Sequence, residues 1–169
     1  MTPLRWASMY GHKEAAQVLL EQGANDDLLS ASARGDTEAM ELIISPSGHA
    51  ASAIDLVNFP NRGGETPLMW AAQQGKIEAM KLLFKHKAQV NDVDQHGFTA
   101  LMFASQKGHL QAIRLLIREG ADINAKEPED EGSALTMAMH CARSDAVALL
   151  LEYGAERPAH FEEGDAMTH

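Results

Sequence analysis

The chain repeats itself, and this constrains its fold more than any feature of its composition. The glycine of a short turn serves as a marker. It falls at Gly11, Gly35, Gly75 and Gly108, with Ala142 in the fifth place, at spacings of 24, 40, 33 and 34 residues. Nine positions before the marker stand Thr2, Asp26, Thr66, Thr99 and Ser133. Seven before stand Leu4, Leu28, Leu68, Leu101 and Leu135, and four before stand Ala7, Ala31, Ala71, Ala104 and Ala138. At four, seven and eight after it come Ala15/Val18/Leu19, Ala39/Leu42/Ile43, Ala79/Leu82/Leu83, Ala112/Leu115/Leu116 and Ala146/Leu149/Leu150. A sustained period of this kind marks a stacked array, in which each unit buries its apolar face against its neighbours.

Each unit reads as two short helices. The Thr, Asp or Ser that opens it can cap the first helix by accepting a bond from a free backbone N–H. Pro3 and Pro67 follow two of these caps, at the first helical position, where a missing donor does no harm. The Leu and Ala three residues apart share one face. The marker breaks the helix, and the second helix carries apolar residues at i, i+3 and i+4, one stripe wide. That helix ends at Gly23, Lys87, Gly120 and Gly154, where a left-handed cap is expected. Val57-Asn58, Val90-Asn91 and Ile123-Asn124 come next, before the turn-rich stretches 61–64 (NRGG) and 94–97 (DQHG), which suit hairpin tips.

The segments TPLRWASMYGH (2–12), TPLMWAAQQGK (66–76), TALMFASQKGH (99–109) with EGADINA (119–125), and SALTMAMHCAR (133–143) with YGA (153–155) resemble the ankyrin repeat. The resemblance covers about residues 1–157. It implies an all-α solenoid of paired short helices joined by β-hairpin-like loops. Its five units fall at about 1–24, 25–58, 59–91, 92–125 and 126–157, with a polar tail over 158–169. It implies little about function, because such a repeat is a generic binding scaffold.

Departures from the pattern carry their own expectations. The short first spacing predicts that unit one runs almost directly into unit two without a hairpin. The long second one places an excess in Ser45–Leu56, read as a loop or a one-turn helix. Lys87 and Ala142 replace glycines, at on the order of 1 kcal/mol each if the backbone stays left-handed. Trp6, Met9 and Tyr10 face an end with no preceding repeat, which predicts an upstream segment or a docking partner there.

Composition narrows the function. Fourteen Lys and Arg against twenty-four Asp and Glu leave a net charge of −10, which argues against general nucleic-acid binding. No apolar run is long enough to span a membrane. The single cysteine, Cys141, excludes a disulfide framework and fits a reducing compartment such as the cytosol; export by a bacterium into a host cell is the alternative. No nucleophile, zinc or phosphate-loop motif is present. His140-Cys141 is the one Cys/His pair, and adjacent helical residues diverge too far to act as base and nucleophile. The expectation is therefore a monomer without catalysis, cofactor or metal. His12 and His109 follow the marker, where the resemblance implies a bond to the neighbouring loop.

The same resemblance implies that a protein partner binds the concave face of hairpin tips and first helices. Carried over position by position, that face holds Met9, Tyr10, Ala33, Arg34, Gln73, Gln74, Gln106, Lys107, His140 and Cys141 beside the marker. In the hairpins it holds Phe59, Arg62, Glu65, Val93, Gln95, His96, Phe98, Glu129, Asp130 and Glu131. Phe59 and Phe98 among amides and mixed charge are the kind of anchors such a surface needs, unless they pack against the next hairpin. Trp70 and Phe103 read as core. On the back, Lys81, Lys85, Arg114 and Arg118 form a basic square, read either as a contact for an acidic or phosphate group or, more plainly, as a solvated helix face. The acidic hairpin Glu127–Glu131 either steers a basic partner or keeps the array soluble. Residues 159–169 fit neither helix register; in one reading Phe161 folds back over unit five. Two functions remain: a free-standing binding protein, or a regulatory or targeting fragment of a larger protein, possibly an enzyme.

Overall fold

A computed structural model describes residues 26–44, 53–128 and 132–158. The expectations for unit one, including Trp6, Met9, Tyr10 and His12, lie outside these residues. So do those for Glu129, Asp130, Glu131 and the tail from 159 onward.

Nine helices occur among the described residues: α1 (Asp26–Arg34), α2 (Thr37–Ile44), α3 (Ala53–Asn58), α4 (Pro67–Gln73), α5 (Ile77–Lys85), α6 (Ala100–Lys107), α7 (Leu110–Arg118), α8 (Ala134–His140) and α9 (Ser144–Glu152). Apart from α3 they form four pairs: α1–α2, α4–α5, α6–α7 and α8–α9. First helices stack on first helices, and second on second.

Local chemistry sets the ends. Thr66 accepts from Met69 N–H at 3.4 Å, Thr99 from Met102 N–H at 3.3 Å and Ser133 from Thr136 N–H at 3.4 Å; such a cap contributes about 1 kcal/mol. Pro67 is the first residue of α4. At the turn between paired helices, the residue after the marker donates back to the alanine four before it: Asp36 to Ala31, Lys76 to Ala71, His109 to Ala104 and Arg143 to Ala138. Closing this turn needs a left-handed residue. Gly35, Gly75 and Gly108 supply φ of 74°, 64° and 75°, and Ala142 takes it at 53°. The second helices close alike, with Ala88, Ala121 and Ala155 donating to Leu83, Leu116 and Leu150 across Lys87 (φ 67°), Gly120 and Gly154. Lys87 and Ala142 thus hold the left-handed backbone that their register implies.

The core follows the repeat. Leu28, Leu68, Leu101 and Leu135, the alanines four before the marker, and Leu83, Leu116 and Leu150 are buried between the two helices of a unit and the units beside it. A second set is buried by the following unit: Leu29, Met69 and Met102 at six before the marker, Ser32, Ala72 and Ser105 at three before, and Met40, Met80 and Ile113 at five after. The small residues three before the marker let successive first helices approach closely. In the last pair, which no described unit follows, Thr136, Met139 and Val147 hold these positions and stay partly exposed.

The expected loop or one-turn helix in Ser45–Leu56 is partly described. Helix α3 starts at Ala53, and it continues through Val57 and Asn58, which the sequence pattern had placed after the helices. Val57 belongs to the core. Burying an apolar side chain there holds the last turn of α3 against the stack.

Candidate functional site

The hairpins are built from one polar side chain each. Asn61 Oδ1 accepts from Gly63 N–H at 2.8 Å and Glu65 N–H at 3.0 Å. Its counterpart Asp94 Oδ1 accepts from His96 N–H and Phe98 N–H, both at 2.9 Å. Glu127 takes the third place and accepts from Gly132 N–H at 3.1 Å. That hairpin is one residue longer, its bridge joining Lys126 to Ser133 where the previous one joins Val93 to Thr99. The longer side chain spans the added residue. Adjacent tips lock together: Gln95 N–H donates to Gly63 O at 3.0 Å. Between the next two tips the equivalent of Gln95 is Pro128, which has no N–H and instead sets its ring against Gly97.

Asparagines fasten the units at the base. Asn58 donates to Lys87 O at 3.2 Å and accepts from Gln89 N–H at 2.8 Å; Asn91 does the same with Gly120 O and Asp122 N–H. Asn124 accepts from Glu156 N–H at 2.9 Å. At the turns, His109 Nε2 lies 3.1 Å from Gln73 O, and Arg143 Nε donates to Gln106 O at 3.2 Å. His109 thus reaches the end of the preceding unit's first helix, where the resemblance implied a bond to the neighbouring loop.

Together the tips and first helices form one continuous face. Along it the Phe98 ring packs on Phe103 with centroids 5.7 Å apart and planes tilted by 34°. This is a favourable aromatic geometry. Both rings also touch the core and remain partly exposed.

The ankyrin repeat model in three copies matches residues 28–127, and the model of a single ankyrin repeat matches residues 1–31. The chain belongs to the ankyrin repeat family. It is also similar to the human transient receptor potential cation channel subfamily A member 1, with 32% identity over 94 residues. That match covers 50% of this chain and 8% of the channel protein, so the chain spans under a tenth of that relative's length. Ankyrin repeats are generally protein-interaction modules.

On the ankyrin array, the expected partner residues fall into two groups. Arg34, Arg62, Gln74, Gln95, His96, Lys107 and His140 are exposed, while Phe59, Glu65, Gln73, Phe98 and Gln106 are half-buried. Several meet: Gln95 Nε2 lies 3.0 Å from His96 Nε2, and Asn61 Nδ2 donates to Glu65 Oε2 at 2.8 Å. Gln73 and Gln106 also serve the stack through their carbonyls. Val93 is 54% exposed at the hairpin edge.

Trp70 and Phe103 were expected in the core. Both are partly exposed, because five before the marker is the edge of the first helix's buried stripe and a large ring overhangs it. Trp70 Nε1 is nevertheless enclosed, with no hydrogen-bond acceptor among the described residues. Met137 stands in the same register and is also partly exposed. The pattern of Trp70, Phe103 and Met137 at one register position was the available signal that these residues line the face.

Two groups have shifted acidities. Burial, and then the charge of Lys85, hold His86 below the ordinary imidazole value, with Glu41 opposing. Burial alone raises the Asp92 carboxyl above its ordinary value. Among the described residues no cluster of three or more His, Cys, Asp or Glu could hold a metal ion, and no helix is long and apolar enough to cross a membrane.

Proposed function

We propose that this array is a non-catalytic protein-binding module that takes its partner on the hairpin face, centred on units three to five. The observation that carries the reading is the half-buried Phe98–Phe103 pair, with exposed Gln95 and His96 in the same hairpin and exposed Gln74 and Lys107 at the ends of the first helices. An apolar anchor inside a polar rim concentrates binding energy, on the order of 2 kcal/mol for a central residue. The polar residues supply amide, imidazole and ammonium groups that can hydrogen-bond a partner's surface.

A pull-down with the intact chain, followed by titration of the captured protein, tests this. Phe98→Ala should weaken binding at least about tenfold. Because Phe98 also packs on Phe103, the exposed pair Gln74→Glu and Lys107→Glu gives a second reading that leaves packing untouched. Unchanged affinity in both variants would overturn the proposal. The match to a short stretch of a much longer channel protein supports a second reading, in which the array is the binding segment of a larger polypeptide. The size of the native gene product separates the two.

A further inference from the structure

The back of the array carries a charge pattern that the hairpin face does not use. Lys81 and Lys85 stand on α5, Arg114 and Arg118 at the equivalent positions of α7, and all four are exposed. Cations four residues apart on a helix lie about 6 Å from each other, and neighbouring packed helices lie about 10 Å apart. The four heads therefore form one strip two units wide. With Lys87 they make five of the fourteen basic residues in a chain of net charge −10.

Local chemistry accounts for only part of this. Lys85 and Arg118 lie in the last turns of their helices, where a cation complements the helix dipole. Lys81 pairs with Glu78 at 2.7 Å, an exposed contact with side chains 55% and 73% accessible, and such pairs hold weakly. Lys85, Arg114 and Arg118 form no ion pair with any described residue. Lys87 adds an independent observation. It holds φ of 67° where the next two units use Gly120 and Gly154, so an exposed lysine stands two residues past Lys85 despite a backbone cost that glycine would avoid.

The flanks define the occupant. Exposed Glu38 and Glu41 border the strip on α2, and exposed Asp145 and Glu152 border it on α9. An anionic bilayer lying flat on the back would meet these carboxylates as well as the cations. A single acidic segment running along the strip avoids these flanking carboxylates and meets the four cations, with Glu78 beside Lys81 and Glu119 beside Arg118 as the carboxylates at its ends. Its carboxylates, about 6 Å apart on one face of a helix or nearly 7 Å apart on one face of a strand, match the cation spacing. Arginine can further grip a carboxylate through two parallel bonds. We infer that the outer faces of α5 and α7 form a second docking surface, separate from the hairpin face, for a Glu- or Asp-rich segment of a partner protein.

Fluorescence anisotropy with a fluorescein-labelled Glu-rich dodecapeptide tests this on the full chain. Wild type should bind, and affinity should fall steeply with added salt. Arg114→Glu with Arg118→Glu should weaken binding at least about tenfold, as should Lys81→Glu with Lys85→Glu. Lys87→Gly should weaken binding while raising the melting temperature, a combination that a purely structural lysine would not give. Arg34→Glu with Arg62→Glu, on the other face, should leave affinity unchanged, as should Phe98→Ala. Circular dichroism checks that each variant is folded. The inference fails if the back-face variants bind like wild type, if the hairpin-face reversal weakens binding equally, or if phosphatidylserine vesicles bind the strip and the peptide does not.

Discussion

Asn91 reaches across the unit boundary to Gly120: its side-chain amide donates to the glycine carbonyl at 3.2 Å, and its oxygen accepts from Asp122 N–H at 2.8 Å. The same reach joins Asn58 to Lys87 and Gln89, and Asn124 to Glu156. These bonds tie successive loops at their base, as the tip contacts do at the other end. Each typical hydrogen bond contributes about 1 kcal/mol net. Asn91→Ala should therefore cost about 1–2 kcal/mol in urea unfolding, with faster hydrogen exchange at the Asp122 amide. Unchanged exchange there would show that the loops are held by packing alone.

Ala142→Gly and Lys87→Gly should each stabilise the array by about 1 kcal/mol, since both positions are left-handed and a β-carbon is disfavoured there. In a right-handed helix the same change would destabilise by a similar amount. The sign of the shift in urea midpoint therefore reports the backbone directly.

Much of this was legible before any coordinates. The caps at Thr66, Thr99 and Ser133, the buried Leu and Ala registers, and the left-handed Lys87 and Ala142 follow from a local rule repeated each unit. What was not legible depends on size and on long-range reach. The pattern gives Trp70 and Phe103 an apolar position, but only packing decides that their rings overhang the edge. Asn58, Asn91 and Asn124 recur at fixed spacing, yet nothing local reveals that each bonds residues about thirty positions away. Helix α3 breaks the period altogether, so periodicity could not fix where it starts or how far it runs. The hairpin face was readable as a set of positions, because exposure follows register. What the proposed binding face would take depends on a surface that lies on another molecule.

Truncating the buried stripe tests the register itself. Leu116→Ala removes a side chain with no accessible surface and should cost about 2–5 kcal/mol. Leu82→Ala and Leu115→Ala, 8% and 7% exposed, should fall toward the lower end of that range. Calorimetric melting of the three variants would rank them.

Asp92 should make stability depend on pH in the opposite sense to a salt-bridged acid. Burial raises its folded-state pKa above the ordinary value of 3.8, so the folded chain binds the proton more tightly than the unfolded one. The folded state is favoured while the group is protonated in both states, and that advantage is lost as pH rises from 3.8 through the folded pKa. Asp92→Asn removes the charge without changing shape. It should raise the melting temperature at neutral pH relative to wild type, with the difference shrinking as pH falls through the folded pKa toward 3.8 and absent below it. A constant difference across that window would assign the effect to something other than the carboxylate.

Gly97 and Gly120 separate backbone strain from tip packing. Both are left-handed, at φ of 82° and 90°, but a β-carbon at Gly97 would meet the Pro128 ring and Glu127 Cα, whereas one at Gly120 meets nothing within 4 Å. Gly120→Ala should therefore cost only the conformational penalty, on the order of 1 kcal/mol. Gly97→Ala should cost that and more, because the hairpin of unit five must also shift away from its neighbour. Hydrogen exchange should locate the additional loss at the Glu127 and Gly132 amides, where the displaced hairpin closes. Equal costs for the two substitutions would mean that the tips of units four and five do not support each other.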